Sequence, residues 1–382
     1  MSHKPLADWD SQDQAVLHDQ RRAYDEMRER CPIAHSDFLG WSLFNHEDIR
    51  TVLADPETFS SASRHTAIPN GMDEPEHTPY RAALDPYLDA EAMAVFEPHC
   101  RWIAADAIQS VLGRETVDIV SDFTEPFSLQ SLCALIGWPL KTWVDLRGWS
   151  HGNQQAAFSG DRAAGKSLAA EFTGFVMQEL AVRRKAGAEA GNDLTSGLMN
   201  VEVNRKRLSD EDIVSILRNW TAGHGTVAAG IGLVILHLAE NQNVQRQLRN
   251  EPTLLPAAID EILRVDGPLV ANRRTTTRDV EIGGQKIAVG DILTLMWIAA
   301  NRDPKVFDDA NEVHLDRDPA ENFLFGWGIH HCQGIRLAHL EMRVAIEELL
   351  AQTDQFELVT SAQPKRDVYP SNGLSTMTLR LS

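Results

Sequence analysis

One run of helical period constrains this chain more than anything else in it. The apolar positions Ile213, Ile216, Trp220, Gly223, Val227, Ile231, Val234 and Leu238 recur every three or four residues, the spacing of one continuous helix. Ser209 supplies an N-cap, and Asp210, Glu211 and Asp212 put negative charge on the first turn, where the helix dipole favours it. A ridge of roughly seven turns, apolar on more than one side, cannot lie on a surface. It must run through the middle of the molecule, with the other elements arranged around it. Inside it lies Ala222-Gly223-His224-Gly225-Thr226. A glycine in a helix interior costs about 1 kcal/mol relative to alanine, so two in three residues predict a local opening of the hydrogen-bond ladder that admits water or a ligand.

A second stretch carries the chemistry. In Phe325-Gly326-Trp327-Gly328-Ile329-His330-His331-Cys332-Gln333-Gly334 a lone cysteine stands just before an amphipathic run in which Ile335, Ala338, Met342, Ala345 and Leu349 keep helical period. Backbone N–H groups and the helix dipole at such a place favour a thiolate. Glycines at 326, 328 and 334 permit backbone angles closed to other residues, so the loop can lie flat against a planar partner, and a haem is the obvious one. Zinc is a poor alternative, because His330, His331 and Cys332 are adjacent and no spaced pair completes four ligands. Gly326 and Gly328 do not begin a dinucleotide fingerprint, since His331 holds the third glycine's place. Cys31, Cys100 and Cys133 have no comparable surroundings and read as inert small hydrophobes.

These ten residues match, at every fixed place, the haem-ligand loop of the cytochrome P450 family, and the chain resembles that family along nearly its whole length. The resemblance implies a mainly α fold with a smaller β-sheet region, haem b (iron protoporphyrin IX) as cofactor, and Cys332 as the axial iron ligand within a cradle of Phe325, Gly326, His330, Cys332 and Gly334. Ala222, Gly223 and Thr226 are similar to the family's oxygen-binding segment, in which the threonine hydroxyl helps to protonate oxygen. The acid that usually precedes the threonine is absent, for Gly225 stands there. His224 could carry protons in its stead near neutral pH. Because neighbouring helix residues point about 100° apart, the expectation is that it faces away and packs or reaches solvent.

Other matches fall in register. His77 and Arg81 sit one helical turn apart and resemble residues that hold haem propionates, as does Arg274, with Arg273 beside it as a competitor. Glu261, Arg264 and Arg317 resemble the cluster that supports folding and haem retention. Ser60 to Glu76 reads as a loop, which the resemblance places over the substrate. Trp149 to Phe158 and Asn372 to Ser375 are expected as further walls. Pro32–Asp37, Gly40–Phe44 and Val280–Asp291 read as strands and a hairpin, and Gly187–Leu208 as an exposed turn region.

With 382 residues, 43% of them hydrophobic, the chain can bury a large core, and no linker-like break divides it, so a single domain over 1–382 is expected. The start is polar, and the longest apolar stretch, Val227–Ala239, is short for a bilayer and contains His237. Four scattered cysteines fit a reducing compartment. These features predict a cytoplasmic protein with no membrane partner. A net charge of -19 argues against nucleic acid. The wording of residues 258–350 is similar to haem domains of bacterial P450s that carry a fused reductase, which this sequence lacks. The implied partner is therefore a separate ferredoxin or flavodoxin-type donor with its reductase, docking near Arg336, His339 and Arg343, which share one helix face. The implied activity is monooxygenation of a small hydrophobic or aromatic substrate, by hydroxylation or dealkylation. Gly225 keeps a peroxide-using peroxygenase in view, and a non-catalytic haem store or gas sensor is a further alternative.

Overall fold

A computed structural model describes residues 8–62, 67–187 and 193–382. Its helices, in chain order, are α1 (Gln14–His18), α2 (Gln20–Arg30), α3 (His46–Ala54), α4 (His77–Leu84), α5 (Ala90–Gln109), α6 (Glu125–Ile136) and α7 (Trp143–Ser159). After these come α8 (Arg162–Ala186), α9 (Leu194–Leu198), α10 (Asp210–Glu240), α11 (Gln242–Asn250), α12 (Leu255–Val265), α13 (Trp297–Ala300) and α14 (Ile335–Gln352). The fold is mainly α with small sheets, as the resemblance implied.

The long apolar ridge becomes α10. Ser209 accepts from the Asp212 N–H while the Asp212 carboxylate accepts from the Ser209 N–H, a full capping box. The helix packs on α6, α8, α12 and α14, and the core formed with α5, α12 and α14 includes Ile231, Val234, Ile259, Val344 and Ile346. By length and composition α10 could cross a membrane, but 67% of its most apolar window is buried inside the protein, which is where its several apolar faces belong. The helix runs unbroken from Asp210 to Glu240, so the expected opening at Gly223 and Gly225 does not occur. Neighbouring packing outweighs the glycine penalty there, and Ser128 Oγ of α6 donates to the His224 carbonyl at 2.9 Å.

The largest sheet has the order Ile33–Ser36, Gly40–Leu43, Ile292–Met296, Ala271–Thr276, Phe59–Ser60. Its pairs are antiparallel except Gly40–Leu43 with Ile292–Met296. Strand alternation sends successive residues of Ala271–Thr276 to opposite faces, and this decides between two adjacent arginines below. The predicted hairpin forms between Val280–Ile282 and Gln285–Ile287, turning at Gly283 and Gly284, both left-handed. The Gly187–Leu208 region differs from expectation in its middle, where α9 buries Leu194, Thr195 and Leu198. Of the Ser60–Glu76 loop, Ser63–Thr66 lie outside the described residues. The part after them is tied to α10, for the Ile68 N–H donates to Ser215 Oγ at 2.9 Å and Asn219 Nδ2 donates to the Ile68 carbonyl at 2.8 Å.

Below the site, Glu261 and Arg264 of α12 meet as their spacing of three predicts, at 2.7 and 2.9 Å, and Arg317 Nε joins Glu261 at 2.9 Å. Arg264 also donates to the carbonyls of Asn301, Ala310 and Glu312 and lies over the Phe307 ring. It thus staples the loop that leads into Phe325.

Candidate haem site

The cysteine loop is closed by its own backbone. The Cys332 N–H donates to the Phe325 carbonyl at 2.9 Å and the His331 N–H to the Gly328 carbonyl at 3.0 Å. Gly326 and Gly328 are left-handed, with φ of 70° and 76°, and a Cβ on Gly328 would stand 3.0 Å from the Leu53 carbonyl of α3. Gly334 differs from expectation: its φ is -84°, which any residue adopts, and it serves as the N-cap of α14. A side chain added at Gly334 would meet nothing within 4 Å.

Cys332 stands three residues before α14, yet the expected ionisation is not produced by the chain alone. Burial pushes the thiol up, and the Gly334 backbone N–H and the Arg81 charge only partly offset it. A bound metal cation reverses that balance, since coordination deprotonates a thiol outright.

Around the loop the structure gathers bases that are far apart in sequence. The His77 and His330 rings lie 4.3 Å apart. Neither nitrogen of buried His77 has a hydrogen-bond partner, nor does His330 Nε2. Burial, followed by the charges of His77, Arg274 and Arg81, pushes His330 down to about 4, with Asp73 opposing them. Arg81 reaches the loop itself, donating to the His331 carbonyl at 2.8 Å. Of the adjacent arginines, Arg274 is the one drawn into this group, while Arg273 is exposed and turns toward the Phe38 carbonyl on the other side of the strand. Histidine nitrogens without hydrogen-bond partners, set beside Arg274 and Arg81, suit an anionic partner with several oxygens.

α10 packs on α14, the helix that follows the loop. It touches α14 closely at Gly230, where a Cβ would be 3.1 Å from Met342 Sδ. Two turns earlier Ala222 and Gly223 are exposed in the middle of an otherwise buried helix, and a Cβ on Gly223 would meet nothing within 4 Å. Thr226 is half-buried on the same side. These residues fit a flat, dianionic iron porphyrin: a sulfur ligand, a basic cradle for two carboxylates, and a helix face bare of large side chains.

Gly225 faces elsewhere. Together with His224 and Ala228 it borders a cavity of about 330 Å³ whose other walls include Ser150, His151, Gln154 and Phe158 of α7 and Ser371, Leu374 and Ser375 near the C-terminus. The α7 and C-terminal walls expected from the sequence therefore meet in one cavity, although Asn372 itself turns to Asp266 and the Gly267 carbonyl. Charged groups also border the cavity. Glu125 holds His151 and Arg147 at 2.6 Å each, and that hydrogen bond raises the His151 imidazole above its ordinary value.

His224 is turned away from Thr226, as its position predicts. Its Nδ1–H donates to the Trp220 carbonyl at 2.7 Å and its Nε2 lies 3.3 Å from Glu341 of α14. Sequence reasoning missed Glu341, Glu125 and Asp73. A signal existed for the first: Glu341 lies between Ala338 and Ala345 at the three- and four-residue spacing of the apolar ridge, a charge at a core position.

The expected basic docking face is thinner than its spacing suggested. Arg343 is engaged by Glu97 and Glu347, and His339 by Asp260. Arg336 remains exposed, beside an open groove that also includes Arg81, Asp85, Gln333 and Cys332.

Comparison with known proteins agrees with this geometry. The family model described as Cytochrome P450 matches residues 157–381. A putative cytochrome P450 of Bacillus subtilis, YjiB, is 30% identical over 355 residues, covering 88% of each chain. Linalool 8-monooxygenase of Pseudomonas putida is 30% identical over 410 residues, covering 100% of this chain and 99% of that protein. The solved structure of CYP109B1 from Bacillus subtilis superimposes with a TM-score of 0.81 at 28% identity, over 95% of this chain and 100% of that one. A cysteine loop and basic cradle that suit iron protoporphyrin IX, a matching fold and full-length relatives together establish that the chain belongs to the cytochrome P450 family of haem-binding monooxygenases.

Proposed function

We propose that this protein inserts one oxygen atom from O2 into a small, mainly apolar substrate, by hydroxylation or by dealkylation beside oxygen or nitrogen, with Cys332 as the iron ligand. When bound, the haem supplies the oxidising chemistry and the protein orients it and tunes its surroundings. His77, Arg81, Arg274 and His330 would hold its carboxylates. Ala222 and Gly223, open on their helix face, would leave room for it, and the Thr226 hydroxyl would hold a proton beside it. The coincidence of the closed Cys332 loop with four convergent bases carries this reading.

The cavity beside Gly225 is our candidate for the substrate's chamber. Val120, Leu129, Phe158 and Leu374 offer it apolar surface. Among the described residues the side-chain amides of Gln154 and Gln155 make no protein hydrogen bond, so they are available to a hydroxyl or carbonyl on an otherwise hydrocarbon compound. Electrons would come from a separate ferredoxin or flavodoxin-type donor, with Arg336 as its exposed cationic contact. Unbridged cysteines and the burial of the apolar helix support a cytoplasmic setting.

A second reading follows from Gly225. With no carboxylate there, hydrogen peroxide could serve as the oxidant, since it bypasses the step that requires oxygen to be protonated. Turnover with peroxide alone, compared with turnover by reductant and O2, separates the two. The primary test is the ferrous carbon monoxide spectrum: a red-shifted Soret band that disappears in Cys332→Ala supports thiolate ligation, and its persistence in that variant overturns it.

A further inference from the structure

We infer that the cavity beside Gly225 selects a substrate with a cationic nitrogen, an ammonium group on an otherwise hydrocarbon body, and that Asp367 is the specificity-determining residue that receives it. This inference rests on the reading of that cavity as the substrate chamber of a monooxygenase.

Most of the charge on the cavity wall is already matched. Glu125 of α6 accepts from Arg147 Nε through Oε2 and pairs with His151 Nε2 through Oε1, each at 2.6 Å. His224 of α10, which also borders the cavity, has Glu341 at 3.3 Å and so brings its own counter-charge. Asp367 is the group left over. Among the described residues it forms no ion pair, and its carboxylate accepts one hydrogen bond, from Ser371 Oγ at 3.2 Å. Burial pushes its carboxyl up, as does the Glu125 charge, against the Ser371 hydroxyl and the charge of His151.

The segment that presents Asp367 is pinned in place. The Asp367 N–H donates to the Gly373 carbonyl at 3.0 Å, and the Asp367 carbonyl accepts from Gln20 Nε2 at 3.1 Å. A Cβ on Gly373 would stand 2.7 Å from that of Ala229 in α10, so the backbones of the two elements approach closely there. The carboxylate is therefore held at the wall before any ligand arrives, which is what recognition of a charge requires.

That leftover charge decides what the cavity can take. A ligand filling about 330 Å³ displaces the water that solvates Asp367. A hydrocarbon would leave the carboxylate facing an apolar body, at the cost of desolvating an ion. A carboxylate ligand would be repelled by Asp367 and would find Arg147 engaged by Glu125. An ammonium group supplies the missing counter-charge, while Val120, Leu129 and Leu374 receive the rest of the molecule. The amide oxygens of Gln154 and Gln155 can accept from its N–H groups.

His151 adds a pH dependence of known sign. Its charge acts on Asp367, and Asp367 on it. Protonated, His151 adds positive charge to the wall and opposes a cation; as pH rises through its raised value, that opposition is lost and the cation binds more tightly.

The test uses the haem-loaded protein and two probes of one shape: phenylbutyl-trimethylammonium, whose charge does not vary with pH, and the hydrocarbon in which carbon replaces its nitrogen. Neither has a lone pair to offer iron, and equilibrium dialysis reads both. Asp367→Asn should weaken binding of the cation by about tenfold, the scale of one charged contact, and leave the hydrocarbon's affinity unchanged or improved. Glu281→Gln, which removes an exposed carboxylate of the hairpin, controls for the acidity of the whole chain and should leave both affinities as they were. Should Asp367→Asn fail to hold haem, the pH profile of the parent protein decides: affinity for the cation should rise through the His151 titration, flat for the hydrocarbon and flattened for the cation in His151→Gln. No binding of the cation, an equal effect of Asp367→Asn on both probes, an equal loss in Glu281→Gln, or a flat cation profile in the parent overturns the assignment. Failure of the monooxygenase reading looks different, because it would abolish the thiolate Soret band and leave these affinities readable.

Discussion

At the scale of single residues, the site depends on backbone angles and on buried histidine nitrogens that lack hydrogen-bond partners. Gly328→Ala would force a left-handed alanine, at about 1–2 kcal/mol, and push its Cβ to 3.0 Å from the Leu53 carbonyl. We expect a lower denaturation midpoint together with weakened haem retention, read by chemical unfolding and by haem transfer to an apo-globin. Gly334→Ala, at φ -84° with nothing within 4 Å, should be tolerated in the same assays. If the two variants behave alike, the difference in backbone angle is not what shapes the loop. The residue types here were legible from the sequence, because glycine spacing and a lone cysteine are local patterns. The protonation state of Cys332 was not: the helix dipole suggested a thiolate, but burial outweighs it until a cation binds.

At the scale of elements, side chains tie helices and loops together. Arg264 of α12 is fully buried against Glu261 and three carbonyls, so Arg264→Ala leaves a buried carboxylate and stranded acceptors. Breaking such a pair costs about 3–5 kcal/mol, to be measured by denaturant unfolding and accompanied by loss of haem. The contact between α6 and α7 carries a pH signature. His151 has its imidazole raised by Glu125, so the folded state holds that proton more tightly than the unfolded chain. The stability it contributes is complete below the ordinary imidazole value and is lost as pH rises through the raised one. His151→Gln should flatten that decline in unfolding free energy, and an unchanged pH profile would remove the pair from the account. The spacing of Glu261 and Arg264 could be read in advance, whereas Glu125 and His151 lie 26 residues apart on different helices and no period joins them.

At the scale of the whole molecule, a chain with net charge -19 would need local positive charge to meet an acidic electron donor of the kind proposed above. Arg336 is exposed beside the Cys332 groove, while Arg343 is neutralised by Glu97 and Glu347. Arg336→Glu should therefore slow reduction by an acidic protein donor, with a weakened dependence on salt, and leave reduction by dithionite unchanged. Arg343→Glu should act chiefly on stability. Stopped-flow reduction of both variants decides this, and equal rates for Arg336→Glu and the parent protein would move the docking face elsewhere.

The sequence by itself determined the mainly α architecture, the central helix, the cysteine loop and the residue types fit to cradle a haem, because periodicity and glycine placement act over a few residues. Only the tertiary structure decided which of Arg273 and Arg274 joins His77 and His330, that α10 stays unbroken at its glycines, and that His224 meets a buried Glu341. Helical period says which way a side chain points along its own element. What it points at, and how little water remains there to stabilise a charge, depends on elements brought together from distant parts of the chain.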